Sequence, residues 1–133
     1  MSVLVNGEFC DHIPVSDRGL HYGDGLFETL AVIDGSPRLW NRHISRLSRG
    51  EQVLGLPASD KQLLREEAEG LCRDSDRGVL KLMLTRGSGG RGYRPPANPE
   101  PRRILSLHPW PDYPQRWYRE GMRIRLCETR WSS

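Results

Sequence analysis

Lysine is nearly missing from this 133-residue chain: of its 20 Lys and Arg residues, only Lys61 and Lys81 are lysine. The arginines are dispersed and interleaved with 17 Asp and Glu, for a net charge of +3. Nucleic-acid binding needs basic groups clustered on one face to neutralise phosphates, so that class of partner is excluded. Long apolar runs are also lacking. None approaches the ~20 residues of a membrane-spanning helix. The opening MSVLVNGEFC has neither the basic start nor the apolar centre of a signal peptide. Cysteine is scarce: Cys10, Cys72 and Cys127 are far apart and form no CxxC pair or zinc-like Cys/His spacing. His21 has no second ligand at a useful spacing, so no metal site is expected. The three thiols suit a reducing, cytoplasmic setting.

What is present reads as one α+β domain. Ser2–Val5, Asn6-Gly7 and Glu8–Cys10 form a hairpin pattern, since Asn-Gly supplies the two positive-φ positions of a tight turn. Residues 12–25 are punctuated by Pro14, Gly19, Gly23 and Gly25 and read as loop. Residues 26–33 read as a strand, Asp34-Gly35 as a turn, and Pro37–Trp40 as its returning partner. Asn41 is the expected N-cap of a helix over about 42–54, with Ile44, Leu47, Val53 and Leu54 as its apolar face and Gly55 at its end. Ser59 or Asp60 starts a second helix, through Leu63, Leu64, Ala68 and Leu71. Strands are expected in GVLKLMLTRG, RRILSLHPW and GMRIRLCETR; in the last, Met122, Ile124 and Leu126 alternate. The expected architecture is a small antiparallel sheet with two helices on one side.

Three stretches offer chemistry. LTRGSGGRGYRPP (84–96) is rich in glycine, yet lacks the lysine and hydroxyl of a P-loop and the following helix of a dinucleotide fingerprint. It reads either as a flexible linker or as a loop that holds an anion through Arg86, Arg91 and Tyr93, because arginine carries a carboxylate-matching fork and the glycines permit close approach. In SDRGLHYGDGLFET (16–29), Asp17 and Asp24 are expected to cap turns through backbone N–H groups, while His21, Tyr22 and Glu28 are candidate pocket residues. In RHISRLSRG (42–50), His43 and Arg46 are helical neighbours. They form either a solvated basic face or a site where Arg46 grips a phosphate.

Taken in order, these stretches resemble the fold-type IV pyridoxal-phosphate enzymes. DRGLHYGDGLFET is similar to the family's DRGxxYGDGxFE segment, and HISRL to its HxxRL segment. TRGSGGRGY most resembles the aminodeoxychorismate lyase branch. The resemblance implies a pyridoxal 5'-phosphate cofactor whose phosphate meets Arg46. It places Arg91 and Tyr93 at substrate-carboxylate positions, and Phe27 at a pocket-lining position that is Tyr in the D-amino-acid enzyme. It implies a homodimer with sites at the subunit interface, the Gly-rich loop being ordered only in the dimer. It also implies conversion of 4-amino-4-deoxychorismate to p-aminobenzoate and pyruvate in folate biosynthesis.

The family's Schiff-base lysine has no counterpart here, so no catalytic residue is assigned within the chain. Lys61 is expected to be solvated, and Lys81, in an apolar strand, to have no Schiff-base role. On this resemblance residues 1–108 are an N-terminal small domain, and 109–133 a connection to a second, larger domain. Such a chain alone is expected to be inactive. The alternatives are a branched-chain or D-amino-acid aminotransferase of the same fold, and a non-catalytic, stand-alone module that binds a partner chain or an anion.

Overall fold

A computed structural model describes residues 2–129. It contains a six-stranded antiparallel sheet in the order β2-β1-β6-β5-β3-β4. The strands are β1 (Ser2–Val5), β2 (Glu8–Phe9), β3 (Gly25–Ile33), β4 (Ser36–Pro37), β5 (Arg77–Thr85) and β6 (Arg102–Pro109). Both tight turns form as read from sequence. Asn6 and Gly7 have φ of 53° and 89°, and Asp34 and Gly35 have φ of 50° and 71°.

Two long helices, α2 (Trp40–Leu54) and α3 (Lys61–Cys72), cover one face of the sheet, following a short α1 (Arg18–Tyr22). Strand side chains alternate between faces. Leu30 and Val32 of β3, Leu80, Leu82 and Leu84 of β5, Leu105 of β6 and Leu4 of β1 meet Leu47, Leu64, Ala68 and Cys72 from the helices. Burial pushes the Cys72 thiol up to about 11, so it acts as a small apolar group. The α+β architecture is as expected.

Several local expectations fail for physical reasons. Pro37–Trp40 does not return as a full strand: β4 stops at Pro37, and Leu39 (φ 54°) turns the chain into α2. Leu39, not Asn41, occupies the N-cap, and it makes no side-chain bond. The helix therefore starts because the turn delivers it to the sheet, not because a polar side chain caps it. Its inward face runs Trp40, Ile44, Leu47 and Glu51, while Val53 and Leu54 are exposed. Asp60 does cap α3, accepting from the N–H groups of Gln62 and Leu63.

Residues 121–129 are not a strand, despite the alternation of Met122, Ile124 and Leu126, all of which are exposed. A strand needs a neighbour for its N–H and C=O groups, and none of the described strands pairs with this segment. The last residue of that expected strand, Arg130, and the following Trp131–Ser133 lie outside the described residues. A further short helix, α4 (Gln115–Glu120), precedes it.

Candidate functional site

The β3–β5 register sets the site. Gly25 lies opposite Thr85, so the residues just beyond, Asp24 and Arg86, meet across the sheet end. Arg86 Nε donates to the two oxygens of Asp24 at 3.1 and 2.8 Å, and Arg18 Nε donates to Oδ2 at 2.7 Å. All three side chains are largely buried. The other arms of Arg86 donate to the carbonyls of Gly55 (3.0 Å) and Leu54 (2.8 Å), closing the C-terminal end of α2. Asp24 thus binds two guanidinium groups and does not cap a turn. Asp17 does cap: it accepts from the N–H of Gly19, and also pairs with Arg102 and Thr85 Oγ1.

On the helix side of the sheet, β3 presents Glu28 to α2. Arg46 donates from Nε to Glu28 Oε1 at 2.7 Å and from Nη2 to Oε2 at 2.5 Å, and His43 Nδ1 lies 2.6 Å from Oε2. His43 and Arg46 are therefore no free basic surface: one buried carboxylate holds both. Arg46 remains 63 % exposed, so the outer edge of its guanidinium faces solvent. That edge suits one oxyanion of a phosphate, with Glu28 fixing its direction. Lys61, expected to be solvated, instead pairs with buried Glu51 and bonds Ser59 Oγ, joining α2 to α3.

Burial alone would raise the pKa values of Asp24, Glu28 and Glu51. Hydrogen bonds to Arg86 and Arg18, to Arg46 and His43, and to Lys61 and Ser59 outweigh it, and each carboxyl ends below its ordinary value. Lowered folded-state values stabilise the protein above the ordinary values of 3.8 for Asp and 4.5 for Glu. That stabilisation is lost as pH falls through the folded-state values. Urea midpoints are therefore expected to hold level from pH 7 to about 5 and to fall below about pH 4. A midpoint that rises on acidification through this window would contradict these pairings.

Phe27 points to the opposite face from Glu28, because neighbouring residues alternate. It is 65 % exposed, with Lys81 Nζ 5.3 Å from its ring centre. It lines an apolar cleft of about 430 Å³ with Ile13, Leu20, Met83 and Ile104. The Gly-rich loop leaves β5 at Thr85 and exposes Arg91 and Tyr93. It is no slack linker, because α1 straps it. The N–H of Gly92 donates to Tyr22 Oη at 3.0 Å, and Arg18 donates to the carbonyls of Gly92, Tyr93 and Arg94. Tyr22 is thus a loop anchor, and His21 is exposed.

The structure does not gather Arg46 and Phe27 on one side of the sheet, and Arg91 and Tyr93 sit on a separate loop. Arg86, expected with Arg91 and Tyr93 to hold an anion, is instead buried and spent on Asp24 and the end of α2. Sequence reasoning missed Arg18, whose partners lie far away in sequence.

A sheet with two helices on one face, a fixed but outward-facing arginine and a strapped, arginine-bearing Gly-rich loop define a small α+β domain. The chain belongs to the amino-transferase class IV family, whose model matches residues 25–133; this is the fold-type IV group expected from the three motifs. It is 31% identical over 126 residues to an aminodeoxychorismate lyase of Vibrio harveyi, covering 95% of this chain and 46% of that protein. It is 50% identical to the 4-amino-4-deoxychorismate lyase of Pseudomonas aeruginosa, with a TM-score of 0.87, covering 96% of this chain and 47% of that one. A hypothetical aminotransferase of Mycobacterium tuberculosis, in a PLP-bound form, is 27% identical with a TM-score of 0.72, covering 84% of this chain and 40% of that one. The chain thus spans about half the length of the relatives it matches. Among the described residues, no helix is long and apolar enough to cross a membrane.

Proposed function

We propose that this chain is the small-domain part of an aminodeoxychorismate lyase, which converts 4-amino-4-deoxychorismate to p-aminobenzoate and pyruvate for folate synthesis. The observation that carries this reading is the 50% identity to the Pseudomonas aeruginosa lyase at a TM-score of 0.87, over 96% of the chain. Residues 1–108 form the small domain, and 109–133 lead toward the part that bears the cofactor's lysine. The enzyme is a cytoplasmic homodimer with its sites at the subunit interface. The placement of Arg46 and Phe27 on opposite faces of the sheet is compatible with sites shared between subunits. The free state of Cys10, Cys72 and Cys127 suits a reducing compartment.

In this reading Arg46 donates to the phosphate of pyridoxal 5'-phosphate while Glu28 keeps its fork aimed. The cofactor, when bound, supplies an electron sink for the carbon chemistry. Arg91 and Tyr93 bind a substrate carboxylate, and Phe27 packs against the apolar part of the substrate and excludes water. Neither lysine of the chain moves the protons: Lys61 is engaged by Glu51, and Lys81 lies over Phe27. Reduction with borohydride in the presence of pyridoxal phosphate is expected to leave Lys61 and Lys81 without stoichiometric label by peptide mass spectrometry. Specific labelling of Lys81 would overturn this assignment.

A chimera of this chain with the remaining half of the Pseudomonas aeruginosa lyase tests the activity. It is expected to release p-aminobenzoate and pyruvate with no keto acid present. Arg91→Ala is expected to lower its kcat/KM about 10- to 100-fold, as the loss of a charged hydrogen bond implies. Turnover that requires a keto-acid acceptor would instead support an aminotransferase, the reading favoured by the likeness to the Mycobacterium tuberculosis protein.

A further inference from the structure

Arg18 is the most unusual charged residue in the fold: 2% exposed, yet aimed at a loop more than 70 residues away in sequence. Its Nε is spent on Asp24 at 2.7 Å. Its remaining arms reach three successive carbonyls, with Nη1 at 3.1 Å from Gly92 and 3.4 Å from Arg94, and Nη2 at 2.9 Å from Tyr93. The guanidinium carbon also lies 4.7 Å from the ring centre of Tyr22. Tyr22 in turn accepts from the N–H of Gly92 at 3.0 Å, and its ring lies 5.4 Å from that of Tyr93. Gly89 is where the loop crosses the Arg18 stem: a Cβ there would meet Arg18 Cδ at 2.9 Å. Three carbonyls turned inward toward one cation impose a tight local curvature at residues 92–94. Arg91 enters that curve and Tyr93 stands at its centre, both with exposed side chains.

On the reading of Arg91 and Tyr93 just given, we propose that Arg18 and Tyr22 are positioning residues: they fix the 92–94 turn so that Arg91 and Tyr93 are presented together to a ligand carboxylate. Neither needs to touch the ligand. Preorganisation of this kind lowers the ordering cost of binding, so its loss weakens carboxylate affinity and leaves the phosphate contact of Arg46 alone. The buried pair with Asp24 makes Arg18 an anchor that solvent does not displace.

Two measurements test this. In the 133-residue chain, Tyr22→Phe removes only the acceptor of the Gly92 N–H. Amide exchange at Gly92 is expected to speed up about five- to tenfold, the factor one hydrogen bond sustains, with β5 and β6 amides unchanged. Arg18→Lys keeps a positive charge for Asp24 but loses the fork, and is expected to accelerate exchange at Gly92 and trypsin cleavage after Arg91. Exchange at Gly92 unchanged in Tyr22→Phe, with the fold intact, overturns the proposal.

In the chimera, Tyr22→Phe and Arg18→Lys are expected to raise KM for the carboxylate substrate about tenfold. Changes in kcat and in pyridoxal-phosphate affinity should stay within twofold. A loosened loop with unchanged KM, where Arg91→Ala does raise KM, overturns the positioning role. Unchanged KM in Arg91→Ala itself overturns the carboxylate assignment of the loop, while the exchange data report separately on the anchor.

Discussion

Replacing Asp24 with alanine is expected to destabilise the fold by about 3–5 kcal/mol, the usual effect of stripping the partner from a buried ion pair. The magnitude follows from what remains. Arg18 and Arg86 would face each other without a counter-charge, and their side chains are only 3% and 6% exposed. Neither can turn to water without giving up carbonyls: Arg86 those of Leu54 and Gly55, Arg18 those of the 92–94 turn. The damage therefore spreads to the end of α2 and to the Gly-rich loop together. Asp24→Asn keeps an acceptor of the same shape and is expected to lose less. Urea unfolding of both variants with unchanged slope gives the comparison directly. A loss below about 1 kcal/mol for Asp24→Ala would mean that the two arginines are held by their carbonyls and not by the carboxylate.

The second large effect is expected at Gly87. Its φ is 84°, and a Cβ built there would lie 1.9 Å from the carbonyl oxygen of Glu100. A positive φ alone strains an alanine by about 1–3 kcal/mol, and backbone oxygen cannot move aside as a flexible side chain can. The carbonyl of Gly87 also accepts from the N–H of Arg18 at 2.8 Å, so the loop cannot shift without disturbing α1. Gly87→Ala is expected to destabilise the chain by about 3 kcal/mol or more and to free the loop to move. Gly90→Ala is the control: φ there is not positive and nothing lies within 4 Å of its Cβ, so it should be nearly neutral. Equal stability of the two variants would show that the entry to the loop does not constrain it.

The Gly-rich stretch shows how much of a site a sequence can reveal. Its composition leaves linker and ligand loop equally open, and its motif favours the second. Neither identifies Arg18, because the contact joins residues 18 and 92–94 and exists only once β3 and β5 lie in register. The 121–129 segment fails in the opposite direction. Met122, Ile124 and Leu126 satisfy a period of two, but alternation describes one strand's faces and says nothing about a partner for its backbone.

Short-range physics determined the parts that the sequence revealed by itself. Asn6-Gly7 and Asp34-Gly35 dictate their turns through positive φ, Asp60 and Gly55 mark helix ends, and the leucine pattern of 78–85 makes a buried strand. The order of the three motifs was enough for the family. Tertiary structure alone decided where the charges go. Among many arginines, Arg46 takes Glu28, Arg86 and Arg18 take Asp24, and Arg102 takes Asp17. An ion pair is selected by distance and burial in the finished fold. Both depend on strand register and helix placement, which no local pattern along the chain encodes.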